Sequence, residues 1–421
     1  MEITHPRLGK FVILREIGHG AYSSVYLGRH LQTNFIAAIK VFHDNYPYES
    51  SLNEFNVCSQ IMHPFICQEF DLFTAETGEV CLLIEFVHGA TLLHYANNNS
   101  PLSTATIKLI IGQIIIALEY LHDRNITHRD LKCDNILIDR NNNVRIIDFG
   151  FASETEKHQT LCGSYEYLAP EIILRHDYGK AVDVWSLGII LYAIYFGHLP
   201  FESQNLQQLL AMICEAEPDL HNDISCPDLV HLITRMLDKN PKTRITIDQI
   251  KTHRFFTSDE NGNSFIFDSH CYESLIDVKQ PIHFLLEKMR LPQDQENKCI
   301  DDLKEGNRTK DTIAYLIIRK DFMSNCELLG KGHLFLKNQS NEPVDEFIQY
   351  PSNNHFHIPK SSNNLISRYP NENLNRPPLA TFKKYSSQRL LISKETSFKY
   401  RSNTILNKNS LVANHIAGQS S

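Results

Sequence analysis

The spacing of apolar and polar positions changes along the chain, and the first part predicts strands. Short runs rich in apolar or β-branched residues occupy residues 11–14, 24–28, 36–42 and 80–86. Between the last two runs, residues 51–62 carry apolar side chains at helical spacing. This part of the chain therefore predicts a small β-rich lobe that contains one helix.

Beyond residue 102, the apolar positions recur at the spacing of buried or amphipathic helices. The predicted helices cover residues 104–124, 182–196, 206–215 and 227–237. Regular patterning fades after residue 256. The two patterns together predict an α+β fold with two lobes, in which the small β-rich lobe precedes a larger helical lobe.

The last third of the chain divides into two segments of different composition. Residues 281–322 recover a helical pattern, with apolar stretches at 282–289, 299–303 and 312–318. This segment is too short to bury a core of its own, so its helices are expected to pack on something larger. Residues 351–421 are rich in Ser, Asn and basic residues, and we predict a disordered tail there.

Composition and charge exclude some classes of protein. With 42% hydrophobic residues among 421, the chain has enough apolar material for a large core, and disorder of the whole chain is excluded. The net charge of −8 is uneven, because residues 351–421 carry ten Lys or Arg and two Asp or Glu, leaving −16 for the rest. The overall acidity argues against nucleic acid as a partner.

No targeting or zinc-binding pattern is evident in the sequence. The N-terminus lacks the apolar core of a secretory signal, and the longest apolar stretches, 107–118 and 187–197, are shorter than the ~20 residues that span a bilayer. The ten cysteines form no C-x-x-C pair, and the 21 histidines are scattered. We therefore expect no transmembrane segment and a cytoplasmic protein, with the nucleus as the open alternative.

Four short motifs follow one another along the two predicted lobes. A glycine-rich turn at residues 17–25 lies between two predicted strands, where missing Cβ atoms let backbone amides approach phosphate oxygens. Lys40 ends an apolar strand. Residues 128–135, His-Arg-Asp-Leu-Lys-Cys-Asp-Asn, combine an acid, a cation and an amide. Residues 148–150 read Asp-Phe-Gly, and residues 169–171 read Ala-Pro-Glu.

In this order and spacing, the motifs resemble the signature of eukaryotic protein kinases over residues 11–256. The resemblance implies the bilobal protein kinase fold and magnesium-dependent transfer of the ATP γ-phosphate to a hydroxyl of a protein substrate. Lys132 follows Asp130 by two positions, which is similar to Ser/Thr kinases. Residues 161–165 are similar to the calcium/calmodulin-type and AMP-activated-type members.

The resemblance also implies which residues bind ATP and Mg²⁺. The nucleotide would be held by the glycine-rich turn, the walls of the adenine pocket, a strand lysine and the hinge between the lobes. These residues are Ile17, Gly18, His19, Gly20, Ala21, Tyr22, Ser23, Ser24, Val25, Ala38, Lys40, Glu85, Val87 and Leu137. Asn135 and Asp148 would hold the magnesium ions.

Four further roles carry over from the same resemblance. Asp130 would accept the proton of the substrate hydroxyl, and Lys132 would neutralise charge on the transferred phosphoryl group. Lys40 would hold the α- and β-phosphates and pair with Glu54 on the small-lobe helix. Because the whole set is present, an active enzyme is favoured over the alternative, a pseudokinase scaffold that signals by binding.

Regulation and partners give further expectations. Arg129 precedes Asp130, a pattern that goes with activation-loop phosphorylation, and Thr160 is the best-placed site for an upstream activating kinase. Residues 281–322 resemble a divergent ubiquitin-associated domain of the kind that docks on AMP-activated-type kinases. The alternative is a generic helical tail that packs against the large lobe.

Some positions depart from the family pattern. Glu69 stands where these kinases bury an apolar residue, and a buried unpaired carboxylate would cost several kcal/mol, so we expect it to face solvent. Thr91 and Ala193 occupy positions where kinases that select basic peptides carry acids, and Asp134 is the clearest remaining acid. The sequence therefore gives no strong prediction of an arginine-directed substrate preference. Glu171 and Arg244 resemble a buried ion pair of the large lobe.

Overall fold

A computed structural model describes residues 1–152, 164–220, 226–257, 267 and 292–324. Thr160, the first part of the predicted 281–322 segment and the predicted tail at 351–421 lie outside these described residues. The predicted α+β fold of two lobes is confirmed.

The small lobe is built on a six-stranded antiparallel sheet with the order β1-β2-β3-β4-β6-β5. Its strands are β1 (Glu2–His5), β2 (Gly9–His19), β3 (Ser23–His30), β4 (Ile36–Phe42), β5 (Glu69–Thr74) and β6 (Val80–Glu85). The four predicted runs lie in β2, β3, β4 and β6. Strands β1 and β5 were not predicted, because β1 is short and β5 places two carboxyl side chains, Glu69 and Asp71, in the interior.

Helix α1 (Tyr48–Cys58) packs on this sheet as the sequence predicts. It starts three residues earlier than predicted and ends at Cys58, where the Ser59 amide donates to the Phe55 carbonyl. Its buried face carries Glu54 beside Phe55 and Cys58. The helix therefore brings one carboxylate into its contact with the sheet.

A second, three-stranded sheet lies between the lobes in the order β7-β8-β9. Its strands are β7 (Gly89–Thr91), β8 (Ile136–Asp139) and β9 (Val144–Ile146). Helix α2 (Leu92–Asn99) follows β7 directly, and the Thr91 side chain caps it by accepting from the His94 amide. Because β8 begins immediately after residues 128–135, this sheet fixes one end of the catalytic motif.

The large lobe is helical, and its four long predicted helices are present. The elements are α3 (Thr104–Asp123), α4 (Pro170–Ile173), α5 (Ala181–Phe196), α6 (Leu206–Glu215), α7 (Pro227–Met236), α8 (Ile247–Lys251) and α9 (Arg254–Thr257). By length and composition α3 could cross a membrane, but 61% of its apolar window is buried inside the molecule, as in a core helix. Helix α5 is buried throughout Val182–Tyr195 and forms the centre of this lobe.

The ion pair predicted in the large lobe is confirmed. The Arg244 guanidinium donates to both carboxylate oxygens of Glu171, at 2.7 and 2.9 Å. Arg244 also donates to the Ala181 carbonyl at 2.8 Å, which ties α4 to the start of α5. Both side chains are buried, and a two-pronged geometry of this kind is the favourable form of such a pair.

Within residues 292–324, the part after the large lobe that the structure describes as a continuous stretch, lie helices α10 (Gln293–Glu305) and α11 (Lys310–Ser324). Gly306 adopts a left-handed backbone, φ +76°, and ends α10 so that the chain can reverse. The buried side chains of Ile313 and Leu316 share one apolar cluster with Phe11 and Phe70 of the small lobe. The helices therefore pack on a larger body, as expected, and that body is the small lobe. The alternative, a helical tail packed against the large lobe, is wrong for the described part of this segment.

Candidate active site

The residues of the 128–135 motif form a loop whose backbone is held by Asp183 of α5. The Asp183 carboxylate accepts from the backbone amides of His128 and Arg129, both at 3.0 Å, and lies 2.9 Å from His122 Nε2. Burial alone would raise the pKa of Asp183, but the hydrogen bond and charge of His122 hold it below its ordinary value. Asp183 is a supporting residue that our sequence reading missed, and its one signal was an acid at the start of an apolar helix.

Asp130 is buried, and polar groups hold its carboxylate from two sides. Oδ2 accepts from Asn135 Nδ2 at 3.1 Å and lies 3.1 Å from Lys132 Nζ. Oδ1 accepts from the backbone amide of Ser164 at 2.9 Å and from its hydroxyl at 3.1 Å. The carboxylate is thereby fixed in orientation, which a group that receives a proton from a bound substrate needs.

Ser164 is a second residue whose role the sequence did not reveal. Besides its contacts with Asp130, its hydroxyl accepts from Lys132 Nζ at 2.7 Å. It lies immediately before a 3₁₀ turn, Tyr165–Tyr167, that leads to α4. The hydroxyl therefore joins the predicted proton acceptor and the predicted phosphate-neutralising lysine into one network.

The strand lysine and the helix carboxylate meet inside the small lobe. Lys40 Nζ of β4 contacts Glu54 Oε1 of α1, and the same ammonium lies 3.8 Å from Asp148 Oδ1. All three side chains are largely removed from solvent. The contact needs α1 packed against the sheet, so the position of that helix decides where the Lys40 charge is placed.

The oxygen atoms of Asn135 and Asp148 fit a magnesium ion chemically. Asn135 Nδ2 is occupied by Asp130, which leaves the amide oxygen for a metal, and Asp148 adds a carboxylate. Magnesium prefers such hard oxygen ligands. A Cβ at Gly150 would lie 3.3 Å from Glu54 Oε2, so glycine allows the chain after Asp148 to pass close to α1.

The glycine-rich turn connects β2 and β3 as predicted. The Gly20 amide donates to the Ser23 carbonyl at 2.9 Å and closes the turn. His19 Nδ1 lies 3.0 Å from the Ser24 hydroxyl, on the opposite strand. The predicted phosphate-binding residues 17–25 therefore belong to one hairpin, whose β3 strand pairs with β4 so that Val25 lies opposite Lys40.

The predicted adenine-pocket residues come from three strands and the hinge. Ala38 lies on β4 opposite Ile84 of β6, Leu137 lies on β8, and Val87 follows β6. Glu85 ends β6, and its side chain is turned into a buried cluster of charged groups. Any contact of Glu85 with the adenine ring is therefore left to its backbone.

The expectation that Glu69 faces solvent is wrong. It is 4% exposed and lies opposite Ile84 in the sheet. Burial, followed by the charge of Glu54, raises the pKa of Glu69 to about 8. The carboxyl is therefore protonated at neutral pH, which avoids the cost of a buried charge and lets glutamate occupy an apolar position.

The positions considered for peptide selection are arranged unequally. Ala193 is fully buried in α5, and the Thr91 hydroxyl is used as the cap of α2. Asp134 is exposed in the turn Cys133–Asn135, directly beside the predicted catalytic residues. Of these three positions, only Asp134 presents a carboxylate at the surface.

Comparisons with known proteins identify relatives of this chain. The family model described as "Protein kinase domain" matches residues 11–256. CBL-interacting protein kinase 12 of Oryza sativa subsp. japonica is 35% identical over 260 residues, covering 58% of this chain and 47% of the relative. Aurora kinase of Eremothecium gossypii is 33% identical over 260 residues, covering 59% of this chain and 69% of the relative.

A further relative is similar over a longer part of the chain. Sperm motility kinase 2B of Mus musculus is 28% identical over 323 residues, covering 76% of this chain and 65% of the relative. This similarity is longer than residues 11–256 and therefore includes residues outside the matched domain. The chain spans about half the length of the first curated relatives that it matches.

Proposed function

Because this chain belongs to the protein kinase domain family, we propose that it transfers the γ-phosphate of ATP to Ser or Thr hydroxyls of protein substrates in a magnesium-dependent reaction. The observation that carries the proposal is the network around Asp130. Asn135 and Lys132 hold one oxygen of its carboxylate, and Ser164 holds the other. A scaffold that only binds partners does not need this arrangement.

The chain's own residues account for positioning and charge in the transfer. Asp130 orients the substrate hydroxyl and accepts its proton as the oxygen attacks phosphorus. Lys132, 3.1 Å from Asp130, places a positive charge beside the same position. Because phosphoryl transfer needs little covalent help, such fixed charges and orientation account for most of the catalysis.

The small lobe supplies the groups that bind the nucleotide phosphates. Lys40, held by Glu54, supplies a cation for the phosphates, and the hairpin of residues 17–25 supplies backbone amides. Asn135 and Asp148 would hold magnesium, which when bound neutralises the phosphate charge. These two residues lie on opposite sides of β8 and β9 in sequence, so the second sheet sets their separation.

A peptide-library assay tests the proposal. The purified full chain is incubated with labelled ATP and peptides that offer Ser, Thr or Tyr, with and without Mg²⁺. We expect magnesium-dependent label on Ser and Thr peptides, loss of transfer in Lys40→Met, and normal transfer in Lys10→Met, whose lysine is exposed on β2. Label only on Tyr peptides would overturn the specificity, and ATP binding without transfer would favour the pseudokinase scaffold.

We also propose that the protein acts in the cytoplasm under the control of an upstream kinase. The location carries over the expectation drawn from the sequence, and the control rests on Thr160, which lies between the Asp-Phe-Gly and Ala-Pro-Glu motifs. Imaging of the tagged full chain in its own cells tests the location, and exclusion from the cytoplasm would contradict it.

A further inference from the structure

Lys320 of α11 is a buried lysine that lies far from the catalytic residues in sequence but contacts the strand that ends at the hinge. Its side chain is 2% exposed. Nζ donates to the carbonyls of His63 at 2.7 Å and Ile66 at 2.6 Å, and lies 3.4 Å from Glu85 Oε2. An ammonium has three donors, and here each has an acceptor.

Glu85 is the other half of this arrangement. Its Oε2 accepts from the Gln68 amide at 3.0 Å, and its Oε1 accepts from Arg145 Nε at 3.3 Å. Burial would raise the pKa of Glu85, but the charges of Lys320 and Arg145 outweigh it and hold the pKa below its ordinary value. The carboxylate is therefore charged and depends on two cations, one of which comes from outside residues 11–256.

The same pair of helices also contacts the end of α1. Arg308, in the turn between α10 and α11, donates from Nη2 to the Ser59 carbonyl at 2.7 Å and lies 5.8 Å from the centre of the Phe55 ring. Apolar side chains of the pair, including Ile313 and Leu316, complete the small-lobe core. The polar contacts of the α10–α11 pair therefore lie at two places. Arg308 contacts the end of α1, and Lys320 contacts Glu85 at the hinge.

We propose that Lys320 is a positioning residue for nucleotide binding, acting through Glu85. The inference rests on the proposed function, for which the hinge residues Glu85 and Val87 are expected to take part in holding ATP. Lys320 balances the charge of Glu85 and donates hydrogen bonds to the carbonyls of His63 and Ile66. Together these contacts fix the position of the end of β6. Without Lys320, Arg145 is the one cation left beside the buried carboxylate among the described residues, and the hinge backbone shifts to relieve the imbalance.

The test measures binding and turnover separately in the full chain. Dissociation constants for Mg–ATP come from calorimetry, and KM and kcat come from steady-state transfer, for wild type, Lys320→Met and Lys320→Arg. We expect Lys320→Met to raise the Kd and KM for ATP about tenfold with kcat within about twofold, and Lys320→Arg to recover most of the affinity. Lys304→Met is the matched control, because Lys304 is exposed on α10 and should leave all three constants unchanged.

A second comparison distinguishes action through Glu85 from a general loss of structure. In a Glu85→Gln background the carboxylate charge is gone, so adding Lys320→Met should weaken ATP binding much less than it does in the wild type. Equal weakening in both backgrounds would overturn the proposal. It would also be overturned by unchanged ATP affinity in Lys320→Met. Because binding is read without transfer, failure of the kinase proposal itself would appear separately, as absent transfer in the wild type.

Discussion

Glu54 and Glu69 are both buried carboxyl groups of the small lobe, but their surroundings differ. Glu54 contacts the Lys40 ammonium, whereas Glu69 lies in the interior between α1 and the sheet and is disfavoured as an anion by the charge of Glu54. Cys58 of α1 shares a hydrogen bond with Glu69, and burial raises the pKa of its thiol well above the ordinary value. At this position the protein keeps a protonated acid where the family pattern expects a hydrocarbon.

The protonation of Glu69 predicts a pH dependence of stability. Its pKa is about 8 in the folded chain against an ordinary value of 4.5. The folded state therefore keeps a proton that the unfolded chain releases, so this contribution is fully present below pH 4.5 and is lost as pH rises through about 8. Glu69→Gln removes the titration, so the free energy of unfolding of the wild type should fall relative to the variant over that window.

Urea unfolding of both proteins between about pH 5 and pH 9 measures this difference. Subtracting the variant cancels the titration of other groups, which are common to the two proteins. A difference in unfolding free energy that does not change with pH would contradict the assignment of a protonated Glu69.

Ser164 gives a second prediction at the scale of one side chain. Its hydroxyl donates to Asp130 and accepts from Lys132, so Ser164→Ala should loosen both groups. We expect kcat to fall about 10- to 100-fold with KM for ATP little changed, because the nucleotide is held elsewhere. Ser164→Thr keeps the hydroxyl and serves as the control in steady-state assays. Equal kcat in Ser164→Ala and wild type would show that the Ser164 hydroxyl is not needed to position Asp130.

At the scale of elements, the long helices and the central strands were predictable because their apolar periodicity is strong. Helices α3, α5, α6 and α7 begin and end within about one residue of their predicted bounds. The short strands β1, β5, β7, β8 and β9 were missed, since three to six residues with polar members give little periodicity. The docking of α11 on the small lobe was also beyond the sequence, because an apolar face does not reveal which surface covers it.

The joint core of α11 and the small lobe predicts a shared loss of stability. Ile313 is fully buried in that core, so Ile313→Ala should lower the unfolding free energy by about 2–5 kcal/mol. Leu206→Ala, at an exposed leucine of α6, is the control and should change it little. Thermal and urea unfolding measure both variants. An Ile313→Ala protein as stable as the wild type would show that the α10–α11 pair contributes nothing to the small lobe.

Across the whole molecule, the proposed catalytic residues could be picked out from the sequence because their motifs have fixed order and spacing. The supporting residues were not, since Asp183, Ser164 and Lys320 act through contacts that span from 32 to 257 residues of sequence. The site thus joins both lobes and the α10–α11 pair. Changes at these supporting residues, in any of the three parts, should therefore alter nucleotide binding or transfer.

Phosphorylation of Thr160 is predicted to control the activity of the whole molecule. If a phosphate at Thr160 supports the active form, phosphatase treatment of the isolated protein should reduce transfer, and Thr160→Ala should resemble the treated wild type. Mass spectrometry of the isolated chain checks that the site carries phosphate before treatment. Full activity of Thr160→Ala would contradict this role.

The most direct test of the central claim separates ATP binding from transfer in Asp130→Asn. The substitution keeps the size of the side chain but removes the carboxylate that accepts the proton. We expect transfer to Ser and Thr peptides to fall at least about 100-fold while the Kd for Mg–ATP stays within about twofold of the wild type, with Asp123→Asn, an exposed site at the end of α3, unchanged. Transfer at the wild-type rate by Asp130→Asn would contradict the account.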